Sequence, residues 1–276
     1  MNRNGTGWQE PIDRGRPSVA RIKDCLLGGN RNYPADQRAV AELLETAPNA
    51  RELARAGHDF LIRTARHLAE KHDIRQYLDH GSGLPLPALN LHEVVGAVHR
   101  DARVVYTDTD PMVLAYGRAV LDESPNAVIL DADLTDTARI TAGLDGRIDL
   151  RRPVGVLLAS AFHRIPGRDG DDPKAAVGEL IGLLAPGSFV ALCQLVSDDD
   201  DARAALTGLM RRQTGEEWGR ARTEADVRSY FDLDRLALEG PGLGDVTAWH
   251  PDAPPRGSES RPAATWTAFG GLARVV

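Results

Sequence analysis

Acidic side chains and glycines recur at the ends of short apolar runs in this chain, where they could bind a ligand. Residues 79–83, Asp-His-Gly-Ser-Gly, follow the first run, and the two glycines let the backbone approach a ligand closely because neither carries a Cβ. Asp108 ends the second run 29 residues after Asp79, where a carboxylate can accept hydrogen bonds from both hydroxyls of a ribose. Asp133 follows 25 residues later, within reach of an adenine edge. The spacing therefore predicts a nucleoside site.

The fourth apolar run is followed by the one serious candidate for acid–base chemistry, His163. Histidine titrates near neutrality, so this side chain could act as a general base towards a hydroxyl nucleophile. The alternative is a histidine that hydrogen-bonds the backbone at a strand end, and the sequence leaves both open. The histidines on predicted helices are assigned to the surface or to contacts between helices: His58, His67, His72, His92 and His99.

These residues need a parallel sheet that brings the carboxyl ends of its strands together. From residue 74 onwards, short apolar runs bounded by Gly, Asp and Pro alternate with helical patterns, which is typical of βαβ units in a doubly wound α/β sheet. Ligands bind such sheets beyond the carboxyl ends of the strands. The predicted strands are 74–78, 102–107, 127–130, 154–159 and 188–195, and the predicted helices are 86–98, 111–121, 136–143, 173–184, 202–212 and 223–231.

The two ends of the chain differ from this alternating pattern. The predicted N-terminal helices are 19–27, 35–44 and 50–70. Residues 1–73 are therefore expected to form a helical cap in the same domain as the sheet of residues 74–276. Residues 245–249 and 264–269 predict two strands that form an antiparallel hairpin at the end of the chain.

Composition argues against several classes of function. The 276 residues carry 40 acidic and 33 basic side chains, a net charge of −7, which disfavours general affinity for nucleic acids. No stretch approaches about eighteen uninterrupted apolar residues and no apolar signal segment is present, so neither membrane insertion nor secretion is expected. Cys25 and Cys193 are distant and lack CxxC or Cys/His companions, which indicates neither a disulfide framework nor a zinc site. We expect a cytoplasmic protein without bound metal, and the sequence does not indicate its oligomeric state.

Three segments together resemble an actinobacterial family of class I S-adenosylmethionine-dependent methyltransferases, formerly catalogued as a domain of unknown function. They are residues 17–30 (PSVARIKDCLLGGN), 33–38 (YPADQR) and 79–85 (DHGSGLP). The resemblance extends from residue 1 to about residue 195. It implies a Rossmann-like, seven-stranded, mostly parallel sheet whose last strand is antiparallel, in agreement with the predicted terminal hairpin. It also implies S-adenosyl-L-methionine as the cofactor.

The same resemblance implies which residues bind the cofactor. The methionine portion would lie on the turn at 81–83, the ribose on Asp108 and the adenine beside Asp133, while the helical N-terminus would fold over them as a lid. The full set comprises Asp79, His80, Gly81, Ser82 and Gly83; Asp108 and Thr109; Asp133 and Leu134; Ala159 and Phe162 beside the sulfonium; and Arg21, Asp24, Gly28, Gly29 and Tyr33 in the lid.

The chain departs from the family pattern at two positions. His80 stands where a small or aliphatic residue is common, and it could alter cofactor affinity or point to solvent. Pro85 stands where a third glycine is common, although a proline can begin a helix without penalty.

The sequence is compatible with three functions. The first is an enzyme that methylates an unidentified small-molecule acceptor; in-line methyl transfer depends mainly on positioning, so it does not require a universal catalytic residue. The second is a regulatory or vestigial protein that binds S-adenosylmethionine without turnover. The third is an NAD(P) dehydrogenase, whose G-x-G-x-x-G fingerprint lacks its final glycine in residues 81–86.

Overall fold

Strands and helices alternate from residue 76 to residue 214, as the periodicity predicts. The computed structural model describes residues 12–87, 89–121, 124–160, 162, 165, 173–215, 218–252 and 266–276. The strands are β1 (Gln76–His80), β2 (Arg103–Asp108), β3 (Ala127–Asp131), β4 (Gly155–Ala159), β5 (Phe189–Val196), β6 (Leu236–Asp245) and β7 (Thr267–Val275). The helices are α1 (Val19–Leu26), α2 (Pro34–Thr46), α3 (Ala50–His72), α4 (Leu91–Val98), α5 (Pro111–Leu121), α6 (Thr137–Leu144), α7 (Pro173–Gly182), α8 (Asp200–Thr214) and α9 (Glu224–Phe231).

The strands form one seven-stranded sheet in the order β3-β2-β1-β4-β5-β7-β6. The pairs among β1 to β5 are parallel, whereas β7 is antiparallel to both of its neighbours, β5 and β6. The strand order reverses between β1 and β4, so their carboxyl ends open a crevice at this switch point. The predicted fold class is confirmed, including the antiparallel last strand and the helical N-terminal segment.

The first strand of the terminal hairpin lies earlier than predicted. The strand prediction at 245–249 is wrong, because β6 ends at Asp245 and Val246–Ala248 form a short 3₁₀ turn. The Asp245 carboxylate accepts a hydrogen bond from the Thr247 backbone N–H at 2.9 Å, which is typical of a turn that ends a strand. β6 could not be recognised from the sequence because it contains glycines at 240, 242 and 244, and glycine is depleted in strands.

Two hydrophobic clusters cover the two faces of the sheet. One cluster contains apolar side chains of α1, α2, α3 and α8, and the other contains those of α6, α7 and α9. Leu157 and Leu158 of β4 fall in different clusters, because successive side chains of a strand point to opposite faces. The N-terminal helices therefore cover one face of the sheet and reach its carboxyl edge.

Local hydrogen bonds set the bounds of the first two helices. The Ser18 hydroxyl accepts from the Arg21 backbone N–H at 3.2 Å and begins α1. The Asp36 carboxylate accepts from the Tyr33 backbone N–H at 2.8 Å at the start of α2, with Pro34 at the first helical position. None of the helices in the described part of the chain combines the length and apolarity needed to span a bilayer.

Candidate functional site

A cavity of about 180 Å³ lies between the carboxyl ends of the central strands and the N-terminal helices. Asp79, Asp108, Ala159 and the turn at 81–83 line its sheet side. A second cavity of about 20 Å³ adjoins it. The residues around this second cavity are His80, Gly81, Asp108, Thr109, Ala132, Asp133, Leu134 and Ile165. Gly81 and Asp108 border both cavities, so one elongated ligand could occupy the two together.

The turn after β1 exposes backbone to the main cavity. Gly81 and Gly83 have φ angles of +68° and +74°, in the left-handed region that favours glycine. The Gly81 N–H donates to the Thr107 carbonyl at 2.9 Å, which joins the turn to β2. A Cβ on Gly83 would lie 3.5 Å from Nζ of Lys23. The turn thus forms a cradle free of side chains at both glycines.

Asp108 is buried and held by backbone donors. Its Oδ2 accepts from the Gly83 N–H at 3.0 Å, and its Oδ1 accepts from the N–H groups of Thr109 and Asp110 at 2.8 and 3.0 Å. A carboxylate offers about four acceptor positions. The side chain is therefore fixed in orientation where it borders both cavities.

Asp79 lies on the main cavity beneath the cap. Burial raises the pKa of Asp79 to about 6; the Lys23 ammonium acts in the opposite direction, and the Asp108 carboxylate adds to the rise. A ligand cation at this carboxylate would favour its ionised form. The position is suited to an ammonium group on a ligand.

The second cavity brings together residues that the sequence predicts at the adenine end. The Asp133 carboxylate accepts from the Thr135 N–H at 2.9 Å and from its hydroxyl at 2.7 Å, and Leu134 supplies an apolar wall. His80 is 6% exposed and hydrogen-bonds the Thr107 hydroxyl through Nδ1. The alternative that His80 points to solvent is therefore wrong.

The residues predicted beside the sulfonium have different positions. Ala159 lines the main cavity at the end of β4. Phe162 borders neither cavity; it is fully buried, and its ring packs against Tyr230 with centroids 4.9 Å apart. His163 lies outside the described residues, so its role as a base stays a prediction.

Two of the predicted lid residues belong to a buried polar cluster at the base of the cap. Arg21 forms an ion pair with Asp36 at 2.9 Å, and the two side chains are 4% and 0% exposed. The Arg21 guanidinium also lies 5.3 Å from the centre of the Tyr33 ring. Neither Arg21 nor Tyr33 borders the described cavities. These contacts join α1 to α2, and the roles of both residues towards a cofactor stay predictions.

The remaining lid residues shape the connection between α1 and α2. Gly28 follows α1 with φ +83°. Gly29 packs so closely on Asp24 that a Cβ would lie 2.0 Å from its Oδ1. Asp24 lines the main cavity, and its Oδ2 accepts from the Arg31 N–H at 2.9 Å. The cofactor contacts predicted for the two glycines likewise stay predictions.

Sequence reasoning missed two cap residues that line the main cavity, Lys23 of α1 and His58 of α3. Burial lowers the pKa of His58, as does the nearby Lys23 ammonium, whereas Asp59 acts in the opposite direction. Ala54, His58 and Ile62 follow at intervals of four residues on the face of α3 that lines the cavity. This spacing alone does not distinguish a cavity face from one that meets another helix, and no sequence signal marks Lys23.

The wall of the main cavity away from the sheet edge is apolar. We call this wall the apolar chamber; its residues are Leu43, Leu53, Leu61, Leu206, Met210 and Trp218. They come from α2, α3, α8 and the segment after α8. Over the described ranges, no group of three or more His, Cys, Asp or Glu side chains could hold a metal ion. The arrangement suits an organic molecule placed next to a polar strand edge.

Comparison with known proteins adds to this geometry. A sequence profile of the S-adenosyl methyltransferase family matches residues 6–276. A search of curated protein sequences gives no significant match.

Solved structures with the same fold include two that are similar in sequence. A candidate methyltransferase from Thermobifida fusca is 33% identical, with a TM-score of 0.80 over 95% of this chain and 96% of that one. A DUF574 family protein from Streptomyces avermitilis is 31% identical, with a TM-score of 0.82 over 96% of this chain and 100% of that one. A further structure is that of the plantazolicin methyltransferase BamL in complex with a triazolic desmethylPZN analog and SAH. It is 9% identical, with a TM-score of 0.53 over 93% of this chain and 96% of that one, so the similarity shows the fold alone.

Proposed function

Because this chain belongs to the S-adenosyl methyltransferase family and is an S-adenosylmethionine-dependent methyltransferase, we propose that its methyl acceptor is a small, largely apolar molecule bound in the apolar chamber. One observation carries this proposal. The apolar chamber and the turn at 81–83 line the same cavity of about 180 Å³, so an acceptor and the reactive end of the cofactor could meet there. Holding two reactants in line can supply roughly 7–11 kcal/mol towards the barrier.

The cofactor is S-adenosyl-L-methionine, and we infer that it lies across Asp108. The residues fit this ligand: Gly81 and Gly83 leave the turn without side chains, a Cβ on Gly83 would lie 3.5 Å from Lys23, and a buried carboxylate borders both cavities. In this placement Asp108 accepts from the ribose hydroxyls, Leu134 packs against the adenine and Asp79 faces the methionine end. The bound cofactor supplies an electrophilic methyl group on a good leaving group. The protein's part is to bind, orient and exclude water.

A proton must leave the acceptor if its nucleophile is a hydroxyl. His163 remains our proposed general base for that case. Among the described residues around the cavity, His58 is a further candidate, because burial lowers its pKa and so favours the neutral imidazole, the form that accepts a proton. Replacement of each histidine by Asn separates the two: loss of the His163 side chain changes the pH–rate profile if it is the base, and an unchanged profile removes it from the mechanism.

The proposal is tested by adding small-molecule fractions of an actinobacterial extract to the full-length protein with S-adenosylmethionine. We expect adenosylhomocysteine to form only with the fractions that hold the acceptor, with a methylated product visible by mass spectrometry. Met210→Trp narrows the apolar chamber, so we expect this variant to bind adenosylhomocysteine normally and to lose turnover. Tight cofactor binding without turnover across all fractions would instead support the regulatory or vestigial alternative.

We further infer that the enzyme is cytoplasmic and does not bind nucleic acid. We also infer that its cap (1–73) and its sheet (74–276) form one domain. The free thiols of Cys25 and Cys193 support a reducing compartment. The net charge of −7 supports a partner other than a polyanion. Cap and strand side chains share one hydrophobic cluster, which supports a single folding unit.

A further inference from the structure

Lys23 reaches from the cap to the glycine turn. The residue belongs to α1, is half-buried and lines the main cavity. Its Cδ and Nζ each lie 3.5 Å from the position that a Cβ would take on Gly83. The side chain therefore lies directly over the turn on which the methionine end of the cofactor is proposed to rest.

The lysine ammonium has no close partner within the part of the chain that the structure describes. No hydrogen bond or ion pair of its Nζ occurs there. Its charge nevertheless lowers the pKa of Asp79 and of the Cys193 thiol, against the rise that burial causes in each. The ammonium is therefore close enough to Asp79 to affect it electrostatically and is not neutralised by a direct contact.

The Lys23 ammonium and the carboxylates of Asp79 and Asp108 thus lie at the same turn, and Asp108 already accepts from the Gly83 N–H. An α-amino acid carries an ammonium and a carboxylate on one carbon, so its two charges match Asp79 and Lys23. A phosphate group would match less well, because Asp79 and Asp108 add two negative charges to the surroundings of this single lysine.

We propose that Lys23 binds the α-carboxylate of the cofactor's methionine portion and so selects a donor that carries an intact amino-acid end. This inference rests on the proposed placement of the cofactor over residues 81–83. Most basic residues of this chain are arginines, and only three of the 33 are lysines. A compact ammonium suits a site this close to the backbone better than a planar guanidinium.

The test compares two ligands that differ only in the carboxylate: S-adenosylmethionine and decarboxylated S-adenosylmethionine. Each is titrated calorimetrically into the full-length wild type, Lys23→Met, Lys23→Arg and Lys71→Met. Lys71 is an exposed lysine near the end of α3 and serves as the matched control. We expect the wild type and Lys71→Met to bind S-adenosylmethionine about ten- to a hundredfold more tightly than the decarboxylated ligand.

Lys23→Met should lose this preference and bind the decarboxylated ligand at least as tightly as the wild type does, while Lys23→Arg should retain part of it. A wild type that binds the two ligands equally would overturn the role of Lys23 without any variant. A Lys23→Met protein that keeps the full preference, or loses affinity for both ligands alike, would overturn it as well. Failure of the wild type to bind either ligand would overturn the proposed cofactor site itself.

Discussion

The strand ends and the helical cap meet in one cavity, but their charged groups are held in different ways. At the strand ends, backbone N–H groups orient the Asp108 carboxylate towards both cavities. In the cap, Arg21 and Asp36 pair with each other and border neither cavity. A charge at a strand end is thus available to a ligand, whereas a buried charge in the cap mostly stabilises the cap. Lys23 and Asp24 of α1 are exceptions, because both line the main cavity.

The largest change that we expect is a loss of stability when the ion pair of the cap is broken. Asp36→Ala should lower the free energy of unfolding by about 3–5 kcal/mol, because it leaves the Arg21 guanidinium buried without its partner. The substitution also removes the acceptor for the backbone N–H groups of Ser18 and Tyr33. Urea denaturation measures the change.

The matched control for the cap is an ion pair at the sheet edge. Arg139 and Asp131 lie 2.7 Å apart with side chains 56% and 45% exposed, so Arg139→Ala should change stability by less than about 1 kcal/mol. Equal losses in Arg139→Ala and Asp36→Ala would contradict the structural role of the cap pair.

At the strand ends, we expect substitution of Asp79 to stabilise the ligand-free protein and to weaken adenosylhomocysteine binding. Burial raises the pKa of Asp79 to about 6, so the native state binds a proton more readily than the unfolded chain, and the stability contributed by this group falls as pH rises through 6. Asp79→Asn should therefore be more stable than the wild type at pH 7.5, by up to about 3 kcal/mol. Adenosylhomocysteine should bind this variant more weakly.

The pH dependence of the Asp79→Asn effect is the check on its cause. The stability difference from the wild type should be about half as large at pH 5 as at pH 7.5, since the native carboxyl is then largely protonated. Thermal denaturation at the two pH values measures it. A difference independent of pH would show that the charge of Asp79 is not responsible.

A change in stability smaller than those expected at Asp36 and Asp79 separates backbone strain from ligand contact. Gly83→Ala forces a Cβ onto a left-handed residue and should cost about 1–2 kcal/mol of stability. Gly146 has a similar φ of +71°, open space around its Cα and no place in either cavity, so Gly146→Ala should cost about the same. Only Gly83→Ala should weaken adenosylhomocysteine binding in calorimetric titrations; equal affinities in the two variants would argue against a ligand on the turn.

The sheet could largely be predicted from sequence because its strands are short apolar runs with acids at their ends. Asp108 was located in this way, since β2 ends at that residue. β1 begins two residues later than the prediction of 74–78. The apolar Ile74 instead lies just past the end of α3, where its N–H donates to the Leu68 carbonyl at 3.1 Å after a left-handed Asp73.

The cavity side of the cap could not be predicted in the same way. A helix buries several faces at once in this fold, and its periodicity does not tell which face borders a cavity and which meets another helix. Arg21 and Lys23 are two residues apart on α1, yet one pairs with Asp36 and the other lies over Gly83. Only the three-dimensional arrangement separates their roles.

The central claim is that the cofactor's ribose lies on Asp108, and one titration tests it most directly. Adenosylhomocysteine is titrated calorimetrically into the wild type and into Asp108→Asn, with folding of both confirmed by thermal denaturation. We expect the variant to bind about ten- to a hundredfold more weakly, because a charge-assisted hydrogen bond contributes about 1.5–3 kcal/mol. A folded Asp108→Asn protein with the affinity of the wild type would contradict the claim.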